Sequence, residues 1–129
     1  MNFLFDATFP AKLGRALAEL SRDHSFIHVD DRLGRGATDE AVIRTASAEG
    51  WFLVTLDQGI TRNPAKREAL IQGRVGTFAF TGSAVGNLSY YKVVAFVMSI
   101  AEEMFDLAER TSRPFIFGIS DRRKFKSLM

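Results

Sequence analysis

The chain has no cysteine and no long apolar run, and it has only two histidines among 129 residues. Without cysteine it can form no disulfide framework, no thiolate zinc site and no thiol nucleophile. The longest apolar stretch, residues 93–101, is too short to cross a bilayer. The sequence therefore argues against a disulfide-stapled secreted protein, a zinc-finger module and a membrane-spanning protein.

Internal repeats, linkers and low-complexity stretches are also missing, so we expect a single domain over residues 1–129. A hydrophobic content of 47% with 25% charged residues is ordinary for a soluble globular protein and argues against disorder. Because the chain begins directly on a strand-like segment, we expect no signal peptide, no membrane association and a cytoplasmic location.

Strand-like and helix-like segments alternate along the chain. The predicted strands are 2–6, 24–29, 51–56, 75–80 and 114–119. The predicted helices begin at Pro10, run from Thr38 to about Ala48, run from Asn63-Pro64 to near Gly73, and cover 88–110. Loops are predicted over 30–36 and 81–86. Repeated βα units of this kind predict an α/β fold, a three-layer α/β/α sandwich with a mostly parallel central sheet.

Acidic residues follow two of these strands and begin one of the helices. Asp6 and Asp57 each end an apolar run, and Asp39 lies in the first turn expected after the second strand. Because the carboxyl ends of parallel strands meet at one rim, the three carboxylates are expected to face each other there. Such a cluster repels itself unless a divalent cation, or something equally positive, lies in it. Carboxylates without histidine or cysteine suit Mg²⁺ or Mn²⁺, and phosphodiester hydrolysis is the reaction such a cation serves best.

At these residues the sequence resembles the PIN-like nucleases, in particular the small bacterial branch that includes VapC-type toxins. The stretches that match are Phe3–Pro10, Gly36–Ile43 and Phe52–Asp57. The resemblance is good over residues 1 to about 80, and beyond that it extends only to the order of helix and strand. It implies a metal-dependent ribonuclease that hydrolyses RNA and is paired with an antitoxin protein.

The resemblance also implies roles for single residues. Three carboxylates would be catalytic and would bind the metal: Asp6, Asp39 and Asp57. Thr8 or Thr55 would support the cluster, and Glu40 would replace Asp39 if the helix begins one residue out of the expected register. Family members often carry a further acid two residues beyond Asp57, where this chain has Gly59. That departure leaves two hypotheses open, an active nuclease and a non-catalytic module that binds nucleic acid or a protein.

Basic residues are unevenly distributed around these acids, although the formal net charge is only +2. A basic rim beside an acidic pocket suits a polyanion whose reacting group is held by a metal. The residues expected to contact RNA are Arg35, Arg62, Lys66 and Arg67. Four more basic residues crowd the end of the chain, where a solubilising tail is an equally good interpretation: Arg122, Arg123, Lys124 and Lys126.

Two further features carry weaker predictions. The helix over 88–110 has an additional apolar row that includes Tyr91, Met98 and Phe105, which leaves a deeply buried helix and a homodimer or partner surface both open. His24 and His28 share one face of a strand with nothing to complete a metal or catalytic set, so they are interpreted as structural.

Overall fold

A computed structural model describes residues 1–57, 59–81 and 89–129. Its strands are β1 (Asn2–Phe5), β2 (Ser25–His28), β3 (Phe52–Thr55), β4 (Gly76–Phe80), β5 (Phe115–Ile119) and β6 (Phe125–Ser127). Its helices are α1 (Ala11–Leu20), α2 (Val29–Leu33), α3 (Asp39–Glu49), α4 (Gly59–Arg62), α5 (Pro64–Gln72) and α6 (Tyr90–Arg110). Among these helices, none combines the length and the apolar character needed to cross a bilayer.

The strands form one sheet in the order β2-β1-β3-β4-β5-β6. Strands β1 to β5 are parallel to their neighbours, and β6 alone runs antiparallel, beside β5. Phe5, at the end of β1, lies opposite His28 of β2 on one side and Val54 of β3 on the other. The predicted mixed α/β fold with a mostly parallel central sheet is therefore confirmed.

Helices cover both faces of the sheet. Because side chains alternate in direction along a strand, each strand contributes residues to both buried layers. One face carries an aromatic cluster with α1 and α6 packed over it, and its strand residues include Phe3, Phe5, Phe52, Phe78 and Phe80. The opposite face is aliphatic and packs against α2, α3, α4 and α5, and its strand residues include Leu4, Leu53 and Ile116. These two helical layers and the sheet are the three layers expected from the sequence.

Three elements differ from the sequence prediction. The loop predicted over 30–36 is wrong for its first four residues, since α2 occupies 29–33. The imidazole Nδ1 of His28 accepts a hydrogen bond from the backbone N–H of Asp30 at 3.0 Å and so caps this helix. The short helix α4 and the strand β6 are not predicted at all. Part of the basic tail therefore belongs to the sheet, where β6 closes the edge of β5.

The remaining boundaries agree to within one or two residues. Thr38 is the N-cap of α3, with its hydroxyl accepting from Ala41 N–H at 3.1 Å, and Asn63 caps α5 in the same way. Of the loop predicted over 81–86, residues 82–86 lie outside the described residues, as does residue 88 at the predicted start of the long helix. Within the described part, that helix begins at Tyr90 with Ser89 as its N-cap.

Candidate metal and nucleic-acid site

Asp6 and Asp57 come together at the carboxyl-terminal rim of the sheet. Asp6 directly follows β1, Asp57 lies two residues beyond β3, and these two strands are neighbours. The backbone N–H of Asp6 donates to the carbonyl of Val54 at 3.2 Å, which extends the pairing of the strands up to the first acid. Burial raises the pKa of Asp6, and the negative charge of Asp57 adds a smaller contribution in the same direction. The two carboxylates therefore interact electrostatically, as the strand ends predict.

The carboxylate of Asp6 is buried, with only 5% of the residue exposed. Burial is the largest cause of a raised pKa at Asp6, because it penalises the charged form. Hydrogen bonds from the hydroxyl of Thr55 and from the hydroxyl and backbone N–H of Thr8 oppose this rise without cancelling it. Asp6 thus has the environment typical of functional carboxylates, desolvated and facing another acid.

The two threonines join Asp6 to the chain that carries Asp57. The hydroxyl of Thr8 donates to Asp6 and accepts from the backbone N–H of Leu56 at 2.9 Å. The hydroxyl of Thr55 donates to Asp6 and accepts from the backbone N–H of Asp57 at 2.9 Å. Each hydroxyl is therefore used as both donor and acceptor, and the pair fixes the carboxylate of Asp6 relative to the turn after β3.

Gly59 shapes the position of Asp57. The carboxylate oxygen Oδ1 of Asp57 accepts the backbone N–H of Gly59 at 2.7 Å, in an Asx-type turn that begins α4. A Cβ atom on Gly59 would lie 2.9 Å from the same oxygen, closer than such atoms normally approach. The absence of a side chain at Gly59 therefore lets the carboxylate of Asp57 lie over the start of α4.

Asp39 belongs to a second part of the rim, where it is paired with a lysine. Asp39 is the first residue of α3, in the register expected from the sequence, and its Oδ2 lies 2.5 Å from the ammonium Nζ of Lys66 on α5. The hydrogen bond to Asp39 is the largest cause of a raised pKa at Lys66, and the charges of Asp39, Glu40 and Asp57 add to it. Lys66 therefore lies among the acids and supplies positive charge to them.

The structure does not gather all three predicted carboxylates around one point. Within the residues it describes, no group of three or more acidic or histidine side chains is close enough to hold a metal ion. The charge of Asp57 acts on Asp6, whereas Asp39 is paired with Lys66. The donor set is made of oxygen atoms only, which fits a hard cation such as Mg²⁺ or Mn²⁺. The assignment of the three acids as metal ligands stays a prediction.

The other residues singled out from the sequence occupy different places. Arg35 is exposed in the loop after α2. His28 is buried, and its Nε2 donates to the carbonyl of Phe9 at 2.7 Å while Nδ1 caps α2. His24 packs against Phe105, with ring centroids 4.2 Å apart. Both imidazoles therefore have structural surroundings.

A cavity of about 380 Å³ lies beside the acidic rim. Its lining residues are Thr61, Arg62, Arg67, Thr81 and Leu128. The two arginines are among the predicted RNA contacts, whereas no pattern in the sequence places the other three residues with them. These three residues lie on α4, after the end of β4 and beyond β6, in segments that are distant in sequence.

Comparison with known proteins is consistent with this geometry. The family model described as a PIN-like domain matches residues 1–82 of the 129, a span that includes Asp6, Asp39 and Asp57. Neither the curated proteins nor the solved structures gave a significant match. Since the family model covers more than half of the chain, this protein belongs to the PIN-like domain family.

Proposed function

We propose that this protein is a metal-dependent endoribonuclease that hydrolyses RNA phosphodiester bonds with Mg²⁺ or Mn²⁺. Membership of the PIN-like family supports a nuclease-type function, and the pair formed by Asp6 and Asp57 is the observation that carries the proposal. A buried carboxylate beside the charge of a second acid lowers the stability of a fold, and such carboxylates are found most often at functional sites. Binding of a divalent cation between oxygen donors is the role proposed for this pair.

In this proposal Asp6 and Asp57 bind the cation, and Asp39 completes the donor set or orients the attacking water. When bound, the cation activates water and neutralises charge that develops on the phosphate. Thr8 and Thr55 hold the carboxylate of Asp6 through their hydroxyls. The exposed Glu40, next to Asp39, is the alternative donor on α3.

The test is cleavage of a fluorescent RNA by Asp6→Asn and Asp57→Asn in the presence of Mn²⁺. Each variant is expected to lose cleavage while its circular dichroism spectrum stays that of the wild type. Asp106→Asn is the matched control, because Asp106 is an exposed aspartate on α6 whose ion pair with Arg110 is remote from the rim. Full activity in both rim variants would reject the nuclease proposal.

A non-catalytic PIN-like module is the second candidate function. Gly59 supports it, and so does the ion pair that Lys66 forms with Asp39. Calorimetric titration with Mn²⁺ discriminates between the two functions. A nuclease site is expected to bind Mn²⁺ in a manner abolished by Asp6→Ala, whereas a module that only binds a partner is expected to show no such binding.

Within the nuclease proposal, we infer that the protein acts in the cytoplasm as the toxin of a VapC-type toxin–antitoxin pair. The surface around α6 supports a protein partner, since Tyr91 is 82% exposed, Met98 is 43% exposed and Leu20 of the adjacent α1 is 67% exposed. The antitoxin and a second copy of this chain are the two partners proposed for this surface. Light scattering of the purified protein tests the homodimer, and copurification with the product of a neighbouring antitoxin gene tests the pair.

A further inference from the structure

The cavity lined by Thr61, Arg62, Arg67, Thr81 and Leu128, here named the arginine cavity, lies next to the acidic pair along the rim. Helix α4 begins two residues after Asp57, and Thr81 directly follows β4, the neighbour of β3 in the sheet. The arginine cavity thus opens at the same carboxyl-terminal rim, one strand further along. A strand of RNA held at the acids and running along this rim would reach it.

Arg67 has its position fixed without having its charge neutralised. It is half-buried, and its Nη2 donates to the backbone carbonyl of Leu128 at 2.6 Å. A carbonyl is an uncharged acceptor, and a guanidinium has five N–H donors, so both the charge and donors remain for a ligand. The preceding residue differs in this respect, because the charge of Lys66 is paired with the carboxylate of Asp39.

Arg62 brings a second guanidinium from a different helix. It ends α4 and is exposed, and within the described residues it has no carboxylate partner. Arginines elsewhere in the protein do have one, for example Arg15 with Asp31 and Arg32 with Glu49. No acidic residue lines the arginine cavity among the residues described. Two guanidinium groups that line one cavity, with no counter-ion among the described residues, favour binding of an anion.

The size and walls of the arginine cavity indicate which anion fits. Guanidinium groups bind phosphate through paired N–H donors, which gives geometric as well as electrostatic preference. Leu128 adds an apolar wall, and Thr81 adds a polar one, its hydroxyl donating to the carbonyl of Ile119 at 3.3 Å. A volume of about 380 Å³ corresponds to roughly a dozen water molecules, enough for a phosphate together with part of its sugar.

We propose that the arginine cavity binds a backbone phosphate of the RNA, next to the phosphodiester bond that lies at Asp6 and Asp57. Its assignment to the substrate rests on the proposed nuclease function, but the binding itself needs neither metal nor cleavage. The arginine cavity then selects a nucleic acid with an unbroken backbone on that side of the reacting bond, over a mononucleotide.

The experiment measures binding of a fluorescent single-stranded RNA in EDTA, by anisotropy at several salt concentrations. Arg62→Gln and Arg67→Gln are each expected to weaken binding about tenfold and to lower the slope of log affinity against log salt by about one. Arg22→Gln is the matched control, since Arg22 is exposed and precedes β2, at the opposite rim of the sheet. It is expected to bind as the wild type does.

Each outcome has a defined meaning. Wild-type affinity in the double variant Arg62→Gln, Arg67→Gln overturns the proposal, as does a loss seen only with RNA that carries a 5′-phosphate, which would indicate a terminal phosphate site. Since Arg67 also bonds to Leu128, the exposed Arg62 provides a variant that leaves the fold intact. If the arginine variants lose binding while the aspartate variants still cleave RNA, the nuclease assignment of Asp6 and Asp57 fails and the phosphate site stands.

Discussion

Replacing Asp6 by asparagine is expected to stabilise the metal-free protein and to abolish its response to Mn²⁺. The side chain is buried, and burial is the largest cause that raises its pKa. Asparagine keeps the shape and removes the buried charge. Its oxygen can accept both hydrogen bonds from Thr8, and its amide can donate to the hydroxyl of Thr55, which then gives up its own donation to residue 6.

The pH dependence has a definite sign. Because the folded-state pKa of Asp6 lies above its ordinary value of 3.8, the folded protein holds this proton more tightly than the unfolded chain does. The contribution of Asp6 to stability is therefore fully present below 3.8 and is lost as the pH rises through the folded-state value. In Asp6→Asn this loss is absent, so the gain from the substitution is expected to be largest near neutral pH.

The expected gain is about 0.5–2 kcal/mol in free energy of unfolding, the range typical when a functional group that strains the fold is removed. For a chain of 129 residues this corresponds to a rise in Tm of roughly 2–8 °C. Mn²⁺ at 100 times its Kd is expected to stabilise the wild type by about 2.7 kcal/mol and to leave the variant unchanged.

Thermal unfolding followed by circular dichroism at pH 5 to 8, in EDTA and in Mn²⁺, measures both effects. Asp106→Asn serves again as the control, because it removes a carboxylate that is exposed on α6. A variant that is less stable than the wild type in EDTA across this range would refute the argument from burial. A variant that keeps the whole Mn²⁺ response would refute the role of Asp6 as a ligand.

Four further substitutions test single contacts. Gly76→Ala places a Cβ atom 2.6 Å from carbons of two buried phenylalanine rings and is expected to lower the free energy of unfolding by about 1–3 kcal/mol. Gly14 lies inside α1, and a Cβ atom there would come no closer than 3.4 Å to another residue, so Gly14→Ala is expected to raise the free energy of unfolding by about 0.5–1 kcal/mol. Urea denaturation in which Gly76→Ala and Gly14→Ala shift stability in the same direction would contradict this. Thr77→Val removes a buried hydroxyl that has no hydrogen-bond partner among the described residues and is expected to add about 1 kcal/mol, so a lower urea midpoint would be the wrong result. Gly59→Ala is expected to displace the carboxylate of Asp57 and weaken Mn²⁺ binding roughly tenfold by calorimetry, and an unchanged affinity would show that this turn does not matter.

The sequence predicts well those features that depend on neighbours in the chain. The buried strand that ends at Asp6 is visible as an apolar run, and the N-caps Thr38 and Asn63 precede their helices by one residue. The meeting of Asp6 with Asp57 follows from the rule that parallel strands end at a common rim.

Features that depend on distant parts of the chain were not predictable in this way. The sequence predicts His28 only as a strand residue, and nothing in the local sequence indicates that its imidazole caps α2. The ion pair between Asp39 and Lys66 joins residues 27 positions apart. From the acidic pattern alone, a metal ion is expected as the positive charge beside Asp39, and the structure has a lysine there. The residues around the arginine cavity come from three separate segments, which only the fold brings together.

Lys66 and Arg67 are consecutive residues of α5, so they leave the helix axis in directions about 100° apart. One carries charge to the acids and the other to the arginine cavity. The nine-residue helix is anchored by the side chain of Asn63 at its start and by the buried Leu70 on its inner side. Under the proposed function, the distance between the reacting bond at the acids and the phosphate in the arginine cavity is therefore set by one helical step, and moving the backbone of this helix would shift both sites together.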